Sequence, residues 1–574
     1  MNQLETKISE LKSLVSQFET LDFLQHVSLT IMRIGERETS PLFKNLLSPH
    51  RQLFYLASLH LETTQTDKKI VPSEKEWHKM TELLRDIELY YIDHIWQIDN
   101  LDSMSEEEKD KVTVALPTFM NYFFNGSLSY LEQITERIRK TFYRYDDKIK
   151  EKFHLSIDDF LECFEFIEKE ANAKFNSPVE FIKNSKWQDF TSQMISNGIS
   201  DPKDWIKRAP VEIRELMENS DFIDSMKNPG RFLIFDIENL INQFDSDKLL
   251  NFLTIFSCNK EEREQILYYT DANILLNKPI YKINSTKFFV FHINQTLSAI
   301  YEKLYQFCND LTNGKIHLQR DKFLEQKTKE IFENFFPKDA KIFTSYNVDG
   351  HSEQDLIVIY KSSAFIVEIK AANSRAPLRD PYKAYDKIKS DFKKSIQYGF
   401  DQTNRVFEKF DSNEPFDVRA KNKKILTTIN PRKFNNVFSI IVTLDRFGII
   451  QSNLEYLLQI DDYTPFPWAV NIDDLESFLL LLKKRGGHLR NFFTFLTNRE
   501  LLHGHNVAAD ELDICCMFFD KPKQFIEYCN KEDTIVFRED WTNVLTREYN
   551  KGLGFKNERY WKQKKDGTTK FIFT

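Results

Sequence analysis

The sequence predicts an α/β protein: a mixed central sheet flanked by helices lies between a large, mainly α-helical N-terminal region and a helical C-terminal extension. Two observations lead to this fold class. Glycine is scarce, with 14 residues, while Leu, Lys, Glu and Phe are common, and this composition favours helices. Between residues 341 and 369, however, short apolar runs rich in Ile, Val and Phe replace the helical pattern, and such runs are typical of strands.

The chain of 574 residues is longer than one hydrophobic core can organise, so two to four domains are expected. Helix starts recur in the first half, with Ser-x-x-Glu capping boxes at Ser73 and Ser105 and a third start at Ser177-Pro178. The turn residues of Leu311-Thr-Asn-Gly-Lys315 mark a boundary. The predicted division is 1–310 for a mainly helical regulatory or partner-binding region, 311–450 for the α/β core, and 451–574 for a helical extension that ends in a small basic aromatic segment.

Within the core, the order of predicted elements is helix, three strands, helix, strand, which gives a helix-covered mixed sheet. The extension returns to a helical pattern, and its last forty residues carry no clear assignment. The predicted elements are helix Arg320–Phe336, strands Lys341–Tyr346, Leu356–Tyr360 and Phe365–Ile369, helix Tyr382–Phe410, strand Phe438–Leu444, and extension helices 473–484, 488–501 and 508–519.

Charge and cysteine content limit the class of protein. The net charge of −8 excludes a general polycation, so any nucleic-acid binding must come from a local patch. Residues 371–433 hold fifteen Lys or Arg against eight Asp or Glu, about +7 locally. The six cysteines form no CxxC pair, which indicates reduced thiols, and no signal-peptide pattern is present. We therefore expect a cytoplasmic protein without a membrane association.

The most informative residues are Asp355 and the tripeptide Glu368-Ile369-Lys370. Side chains alternate across a strand, so Glu368 and Lys370 share one face and Ile369 lies on the other. A hairpin between the two apolar runs would bring Asp355 beside Glu368. Two close carboxylates need a cation between them, and Mg²⁺ is held by one or two carboxylates with water and phosphate oxygens. This arrangement suits metal-assisted hydrolysis of a phosphodiester, with Lys370 placed to stabilise the transition state.

A Glu-x-Lys tripeptide alone is a weak signal, because Glu5-Thr-Lys7, Glu107-Glu-Lys109 and Glu325-Gln-Lys327 also satisfy it. The alternative is an ordinary ion pair between Glu368 and Lys370 on an edge strand. The flanking runs are so apolar that fully buried strands are expected instead, and buried charges must be paired or bind a metal.

The segment from Arg320 to Gly448 resembles the core of the PD-(D/E)xK, or restriction-endonuclease-like, nuclease superfamily. The family's fold is a mixed sheet flanked by helices, and the resemblance covers less than a quarter of the chain. The residue before Asp355 is Gln354 where the family often has proline, a departure that many members share. The resemblance implies that Asp355, Glu368, Lys370, Glu325 and Gln402 are catalytic, that Asp355, Glu368 and Glu325 hold Mg²⁺ or Mn²⁺, and that Glu330 is the reserve for Glu325.

Basic residues near this site predict binding of nucleic acid through its phosphates, which carries no sequence information. The alternative for each lysine is a solvated helix face. The predicted binding residues are Lys383, Lys387, Lys393, Lys394 and Arg405, and further lysines and arginines are found at 421–433.

Two other features have weaker interpretations. The basic aromatic segment around Tyr560 and Trp561 suits stacking on single-stranded bases, although a small hairpin packed on the domain is the favoured alternative. His503-Gly-His505, near Asp510 and Glu511, suggests a metal site, but two histidines in a turn between helices favour a simple loop.

The expected function is a divalent-metal-dependent endonuclease that hydrolyses nucleic acid, DNA rather than RNA, in restriction or antiviral defence. The alternatives are a DNA-repair nuclease and a non-catalytic nucleic-acid-binding or scaffold protein with a degenerate nuclease fold. Since a freely active nuclease is toxic, control by a regulatory protein partner or by homo-oligomer formation is a further expectation.

Overall fold

The computed structural model describes residues 3–37, 39–95, 102–124, 129–199, 202–219, 222–240, 242–260, 266–268, 270–348, 353–531, 533–537, 543–556 and 558. Two π-helical turns, Tyr91–Ile95 and Lys393–Gln397, accompany the regular elements. The helices are α1 Gln3–Val15, α2 Thr20–Ile31, α3 Pro49–Glu62, α4 Glu74–Tyr90, α5 Glu106–Phe124, α6 Leu131–Phe142, α7 Asp146–Phe153, α8 Ile157–Ile182, α9 Ser185–Ser196, α10 Pro202–Arg208, α11 Val211–Asn219, α12 Phe222–Lys227, α13 Ile237–Leu240, α14 Ser246–Ile255, α15 Ile274–Asn277, α16 Ile293–Leu311, α17 His317–Phe335, α18 Pro381–Phe392, α19 Tyr398–Asp411, α20 Ile449–Ser452, α21 Ile472–Arg485, α22 His488–Arg499, α23 Glu511–Asp520, α24 Pro522–Cys529 and α25 Asn543–Tyr549. The strands are β1 Ile234–Asp236, β2 Ser257–Cys258, β3 Ile280–Lys282, β4 Lys287–Val290, β5 Lys341–Val348, β6 Gln354–Tyr360, β7 Ser363–Lys370, β8 Phe416–Ala420, β9 Ile425–Ile429, β10 Asn436–Thr443, β11 Trp468–Asn471, β12 Asn506–Val507 and β13 Ile535–Val536.

The described chain divides into two compact units. One comprises Met1–Glu88 and Ile134–Leu311, and the other comprises Leu89–Gln133 and Thr312–Tyr560. The division after Leu311 falls inside the segment whose turn residues mark a boundary in the sequence. No helix in the described parts of the chain is long and apolar enough to cross a membrane.

The first unit is mainly helical, with one small sheet. Its strands lie in the order β1-β4-β3-β2, and β3 and β4 form an antiparallel pair. The capping box at Ser73 is present, since Ser73 and Glu76 exchange backbone-to-side-chain hydrogen bonds. The predicted helix start at Ser177-Pro178 is wrong, because Pro178 lies inside the continuous helix α8.

The second unit is built on a seven-stranded sheet with the order β11-β10-β7-β6-β5-β8-β9. Strands β5, β6 and β7 form an antiparallel meander. Strand β10 then pairs in parallel with β7 along its whole length, from Asn436 opposite Ser363 to Thr443 opposite Lys370. Helices α18 and α19 make the crossover between these two parallel strands, as a parallel connection requires.

Both faces of the central strands of this sheet are buried by apolar residues. Leu356 and Val367 face one core cluster, which includes α17 and the helices from α21 onward. Ile357 and Ile366 face a second cluster, which includes Val406 and other residues of α19. Because alternate residues of β6 and β7 enter opposite cores, Asp355 and Glu368 must both face α19.

The domain boundaries differ from the predicted division in two places. One hydrophobic cluster extends from Leu324 to Phe555, so the described residues of the predicted extension belong to the same unit as the sheet. Residues 89–133 also belong to this unit: the Tyr382 hydroxyl donates to Glu108 at 3.1 Å, and the Tyr549 hydroxyl donates to Glu132 at 2.9 Å. Such long-range packing leaves no local signal in the sequence.

Several predicted elements need correction. The single helix predicted at Tyr382–Phe410 is two helices, α18 and α19, joined by the π-helical turn. The predicted helix at 508–519 begins only at Glu511, because the Asp510 side chain accepts the Leu512 N–H and caps it. Strands β8, β9 and β11 were not predicted, and residues 559–574, with the basic aromatic end of the chain, lie outside the described residues.

The ring of Phe365 is the centre of the aromatic packing above the sheet. It is fully buried, and its centroid lies 5.0 Å from that of Phe336, 5.5 Å from that of Phe438 and 5.6 Å from those of Phe492 and Phe493. This residue therefore joins β7 to β10, to α22 and to the residue that directly follows α17.

We expect Phe365→Ala to lower the free energy of unfolding by about 3–5 kcal/mol, because it leaves a cavity between four rings. Urea denaturation followed by circular dichroism measures the loss. Ile425→Ala, on the edge strand β9 where the side chain is 48% exposed, is the control and should change stability by less than about 0.5 kcal/mol. Equal effects of the two substitutions would contradict the central role of Phe365.

Candidate active site

Asp355 and Glu368 lie side by side where the ladder between β6 and β7 ends. The last regular pair is Leu356 with Val367, and the two acidic residues follow it. The Asp355 N–H donates to Glu368 Oε1 at 3.1 Å, and the Ile369 N–H donates to Asp355 Oδ2 at 2.7 Å. Each carboxylate therefore accepts a backbone N–H of the other strand, and the exchange fixes both side chains.

Lys370 completes this group from the same face of β7. Its Nζ atom lies 2.9 Å from Glu368 Oε2 and 3.6 Å from Asp355 Oδ2. Nζ also donates to Gln402 Oε1 at 2.5 Å and lies 5.1 Å above the centre of the Tyr398 ring. The four side chains predicted at Asp355, Glu368, Lys370 and Gln402 are thus brought together.

The ionised form of the Glu368 carboxyl group is strongly disfavoured by its surroundings. The residue is completely inaccessible to solvent. Burial, and then the negative charge of Asp355, raise the pKa of Glu368 to about 8, against the opposing effect of Lys370. A hydrogen bond between the two carboxyl groups also favours the protonated form. A divalent cation at this place would relieve the repulsion that Lys370 leaves uncompensated.

Tyr346 of β5 is a buried neighbour of the acidic pair. Its hydroxyl has no hydrogen-bond partner among the described residues, and the side chain is fully buried. Burial and the charges of Glu368 and Asp355 raise the pKa of Tyr346 well above its usual value. A buried hydroxyl without a partner is costly, so this donor indicates that the site is built to receive a further polar group.

Helix α19 approaches the sheet closely at Gly399. A Cβ atom at this position would lie 2.9 Å from Ile441 Cγ2 and 3.4 Å from Lys370 Cγ. The absence of a side chain lets the helix backbone lie against β7 and β10, and this brings Gln402, one turn later, to the Lys370 ammonium.

Glu325 lies on α17, where its side chain is exposed. Although the residue is exposed, neighbouring atoms remove part of the water around its carboxyl group. This desolvation, and then the charge of Asp355, raise the pKa of Glu325. In the described part of the chain, however, no three His, Cys, Asp or Glu side chains are grouped to hold a metal ion. The role of Glu325 as a third ligand stays a prediction.

The oxygen atoms of Asp355 and Glu368 fit Mg²⁺ or Mn²⁺ in kind and number, because Mg²⁺ in proteins is often held by one or two carboxylates with water completing its coordination. The repulsion that raises the pKa of Glu368, and the unpaired hydroxyl of Tyr346, agree with this assignment. These two carboxylates are the residues that would hold the metal.

The predicted phosphate-binding residues differ in whether their charged groups are exposed and unpaired. The Lys387 ammonium donates to the Ala376 carbonyl at 2.6 Å, which ties it to the loop after β7. Arg405 is half-buried on α19. The ammonium groups of Lys383, Lys393 and Lys394 are exposed, and none has a hydrogen-bond or ion-pair partner within the described ranges.

The alternative metal site at His503 and His505 is not formed. His503 Nδ1 accepts the Leu454 N–H at 3.1 Å, and its Nε2 atom lies 3.3 Å from Arg499 Nη1. Burial, reinforced by the charge of Arg499, lowers the pKa of His503 well below its usual value. This histidine fixes a loop through hydrogen bonds.

Sequence reasoning missed Tyr346, Tyr398 and Gly399. A lone glycine within a helical pattern lowers helix stability, so Gly399 is a local sign of a packing constraint. Neither tyrosine has a comparable signal, because its role depends on tertiary contacts with Lys370 and the acidic pair.

Comparisons with protein-family models, with curated proteins and with solved structures gave no match to this chain. The geometry of the site is therefore what indicates the class of protein.

The raised pKa of Glu368 predicts a dependence of stability on pH in the metal-free protein. The ordinary pKa of glutamate is 4.5, and that of folded Glu368 is about 8. Between these two pH values Glu368 keeps its proton in the folded protein and loses it in the unfolded chain. The contribution of Glu368 to the free energy of unfolding therefore falls as pH rises. We therefore compare the melting temperatures of Glu368→Gln and wild type, both in EDTA. The difference, variant minus wild type, should increase from pH 5 to pH 8.

The control for this experiment is Glu414→Gln, which changes an exposed carboxylate between α19 and β8. Its melting temperature relative to wild type should not depend on pH. A flat difference for Glu368→Gln as well would show that Glu368 is ionised throughout this range.

Proposed function

We propose that this protein is a divalent-metal-dependent endonuclease that hydrolyses phosphodiester bonds in nucleic acid, with DNA as the favoured substrate. One observation carries the proposal: Lys370 Nζ lies 2.9 Å and 3.6 Å from the paired carboxylates of Glu368 and Asp355. The order of α17, the β5–β7 meander, the α18–α19 crossover and β10 also supports it, since this is the order expected of the PD-(D/E)xK superfamily.

The residues of the chain have separate tasks in this reaction. Asp355 and Glu368 supply the oxygen ligands, and their reciprocal backbone hydrogen bonds keep both carboxylates in place. A bound Mg²⁺ or Mn²⁺ supplies neutralisation of phosphate charge and a lower pKa for the attacking water. The chain orients these groups before substrate arrives, which is how fixed charges contribute most to catalysis.

Lys370 supplies the positive charge beside the two carboxylates. Gln402 accepts one of its N–H groups, and the Tyr398 ring covers the ammonium, so the charge is directed and partly shielded from water. The ammonium can then donate to the attacking water or to a phosphate oxygen as negative charge develops in the transition state.

The alternative of a non-catalytic nucleic-acid-binding protein has one observation in its favour. The Lys370 ammonium pairs with both carboxylates, and with a proton on Glu368 a degenerate site could persist without a metal. Restriction, antiviral defence and DNA repair all fit a metal-dependent nuclease, and the site geometry favours none of them over the others.

We expect purified protein to cleave DNA with Mg²⁺ or Mn²⁺ and not with EDTA. Asp355→Asn, Glu368→Gln and Lys370→Met should each lower the rate by about 10²-fold or more, because each removes a ligand or a transition-state donor. Gel assays with plasmid, single-stranded DNA and RNA measure the rates. Lys338→Met, an exposed lysine before β5, is the control and should keep the wild-type rate.

A nuclease that waits for an activator would cleave nothing in this assay, so metal binding is measured separately by Mn²⁺ titration. Binding that is lost in Asp355→Asn and Glu368→Gln supports the enzyme. If the folded protein neither cleaves these substrates nor binds Mn²⁺ through these residues, the non-catalytic alternative is correct.

The third ligand is tested by comparing two glutamates one to two turns apart on α17. Glu325→Gln should weaken Mn²⁺ binding more than Glu330→Gln, because Glu325 responds to the charge of Asp355 while Glu330 accepts a hydrogen bond from Gln326 at 2.8 Å. Isothermal titration calorimetry measures both affinities. A larger loss of Mn²⁺ affinity in Glu330→Gln would make Glu330, and not Glu325, the third ligand.

A further inference from the structure

The hairpin of β8 and β9 ends in a strongly basic tip. The tip consists of Lys421, Asn422, Lys423 and Lys424, and all four residues are exposed. Two backbone hydrogen bonds of 2.8 Å close it, from the Ala420 N–H to the Lys424 carbonyl and from the Lys423 N–H to the Ala420 carbonyl. Three lysines are therefore held on a fixed turn.

The register of the sheet places this tip beside the candidate active site. Ala420 pairs with Tyr346 of β5, and Tyr346 pairs with Gln354 of β6, the residue directly before Asp355. Neighbouring strands are about 4.8 Å apart, so β8 lies about 10 Å from β6. An ion pair of 3.2 Å between Lys421 and Glu353 also connects the tip to the chain that leads into the site.

Lys423 has a backbone conformation that its side chain does not favour. Its φ angle is 68°, in the left-handed region where glycine or asparagine is usual. The ammonium groups of Lys423 and Lys424 have no hydrogen-bond or ion-pair partner in the described part of the chain, whereas Lys421 has Glu353. The two unpaired charges thus contribute nothing evident to the fold, and one of them occupies a strained position.

We propose that this hairpin tip binds the phosphate backbone of the nucleic acid, on the side of β6 where β5 and β8 lie. Successive nucleotides of one duplex strand rise about 3.4 Å, so about 10 Å corresponds to a phosphate about three nucleotides from the scissile bond. Lysines on such a turn contact phosphates and fix the register of the strand without reading its bases. The location of the scissile bond rests on the proposed nuclease function; binding by the tip does not require cleavage.

The test measures binding of fluorescein-labelled duplex DNA, single-stranded DNA and RNA in EDTA, so that cleavage does not interfere. Lys423→Gly and Lys424→Ala should each weaken binding about 5- to 10-fold at moderate salt, and the double variant should lower the slope of log affinity against log salt by about 2. Lys423→Gly should keep or raise the melting temperature, because glycine suits the positive φ angle.

Lys338→Ala is the matched control. It removes one exposed lysine without a described partner just before β5, at the opposite end of that strand, and should leave binding unchanged. If the double variant binds and responds to salt as Lys338→Ala does, the hairpin assignment is wrong, even when cleavage depends on Asp355. Wild-type protein that binds none of the three probes also overturns it.

Selective loss of binding in the double variant supports the hairpin, even when no cleavage is found and the nuclease proposal fails. A separate cleavage assay with Mg²⁺ distinguishes the two results. Asp355→Asn should abolish cleavage and keep binding, whereas the double variant should weaken both.

Discussion

The exchange of hydrogen bonds between Asp355 and Glu368 is the interaction on which the rest of the site depends. Each carboxylate accepts a backbone N–H from the opposite strand, so the ends of β6 and β7 are joined through side chains. This arrangement places two negative charges together, one of them fully buried, and a buried charge must be compensated. Lys370, the close approach of α19 at Gly399 and the amide of Gln402 follow from that requirement.

The same constraint explains why the site is compatible with two chemical states. In one, the Lys370 ammonium and a proton on Glu368 balance the charges without a metal. In the other, the proposed divalent cation would take the place of that proton between Asp355 and Glu368. If the backbone hydrogen bonds of Asp355 and Glu368 persist in the second state, exchange would need a change of charge at Glu368 and little movement of the strands.

The fold around the site could be predicted from sequence where apolar runs and turn residues were clear. Helix α17 and strands β5, β6, β7 and β10 lie within a few residues of their predicted limits, and strand alternation places Glu368 and Lys370 on one face. The hairpin of β8 and β9 was missed, because its lysines, asparagine and threonines resemble a solvated surface. The distances between side chains of the site could not be predicted either. Gln402 reaches Lys370 only because α19 contacts the sheet at Gly399.

The position of α5 in the second unit has a consequence for the synthesis of the chain. Glu108 of this helix bonds to Tyr382 of α18 across a sequence separation of 274 residues. At a ribosomal rate of about 5–20 residues per second, Tyr382 is synthesised roughly 14–55 s after Glu108 of α5. A truncation that begins at Thr312 would remove α5 and Glu132 from their described contacts. A rearranged gene that places 89–133 directly before 312 would shorten the delay.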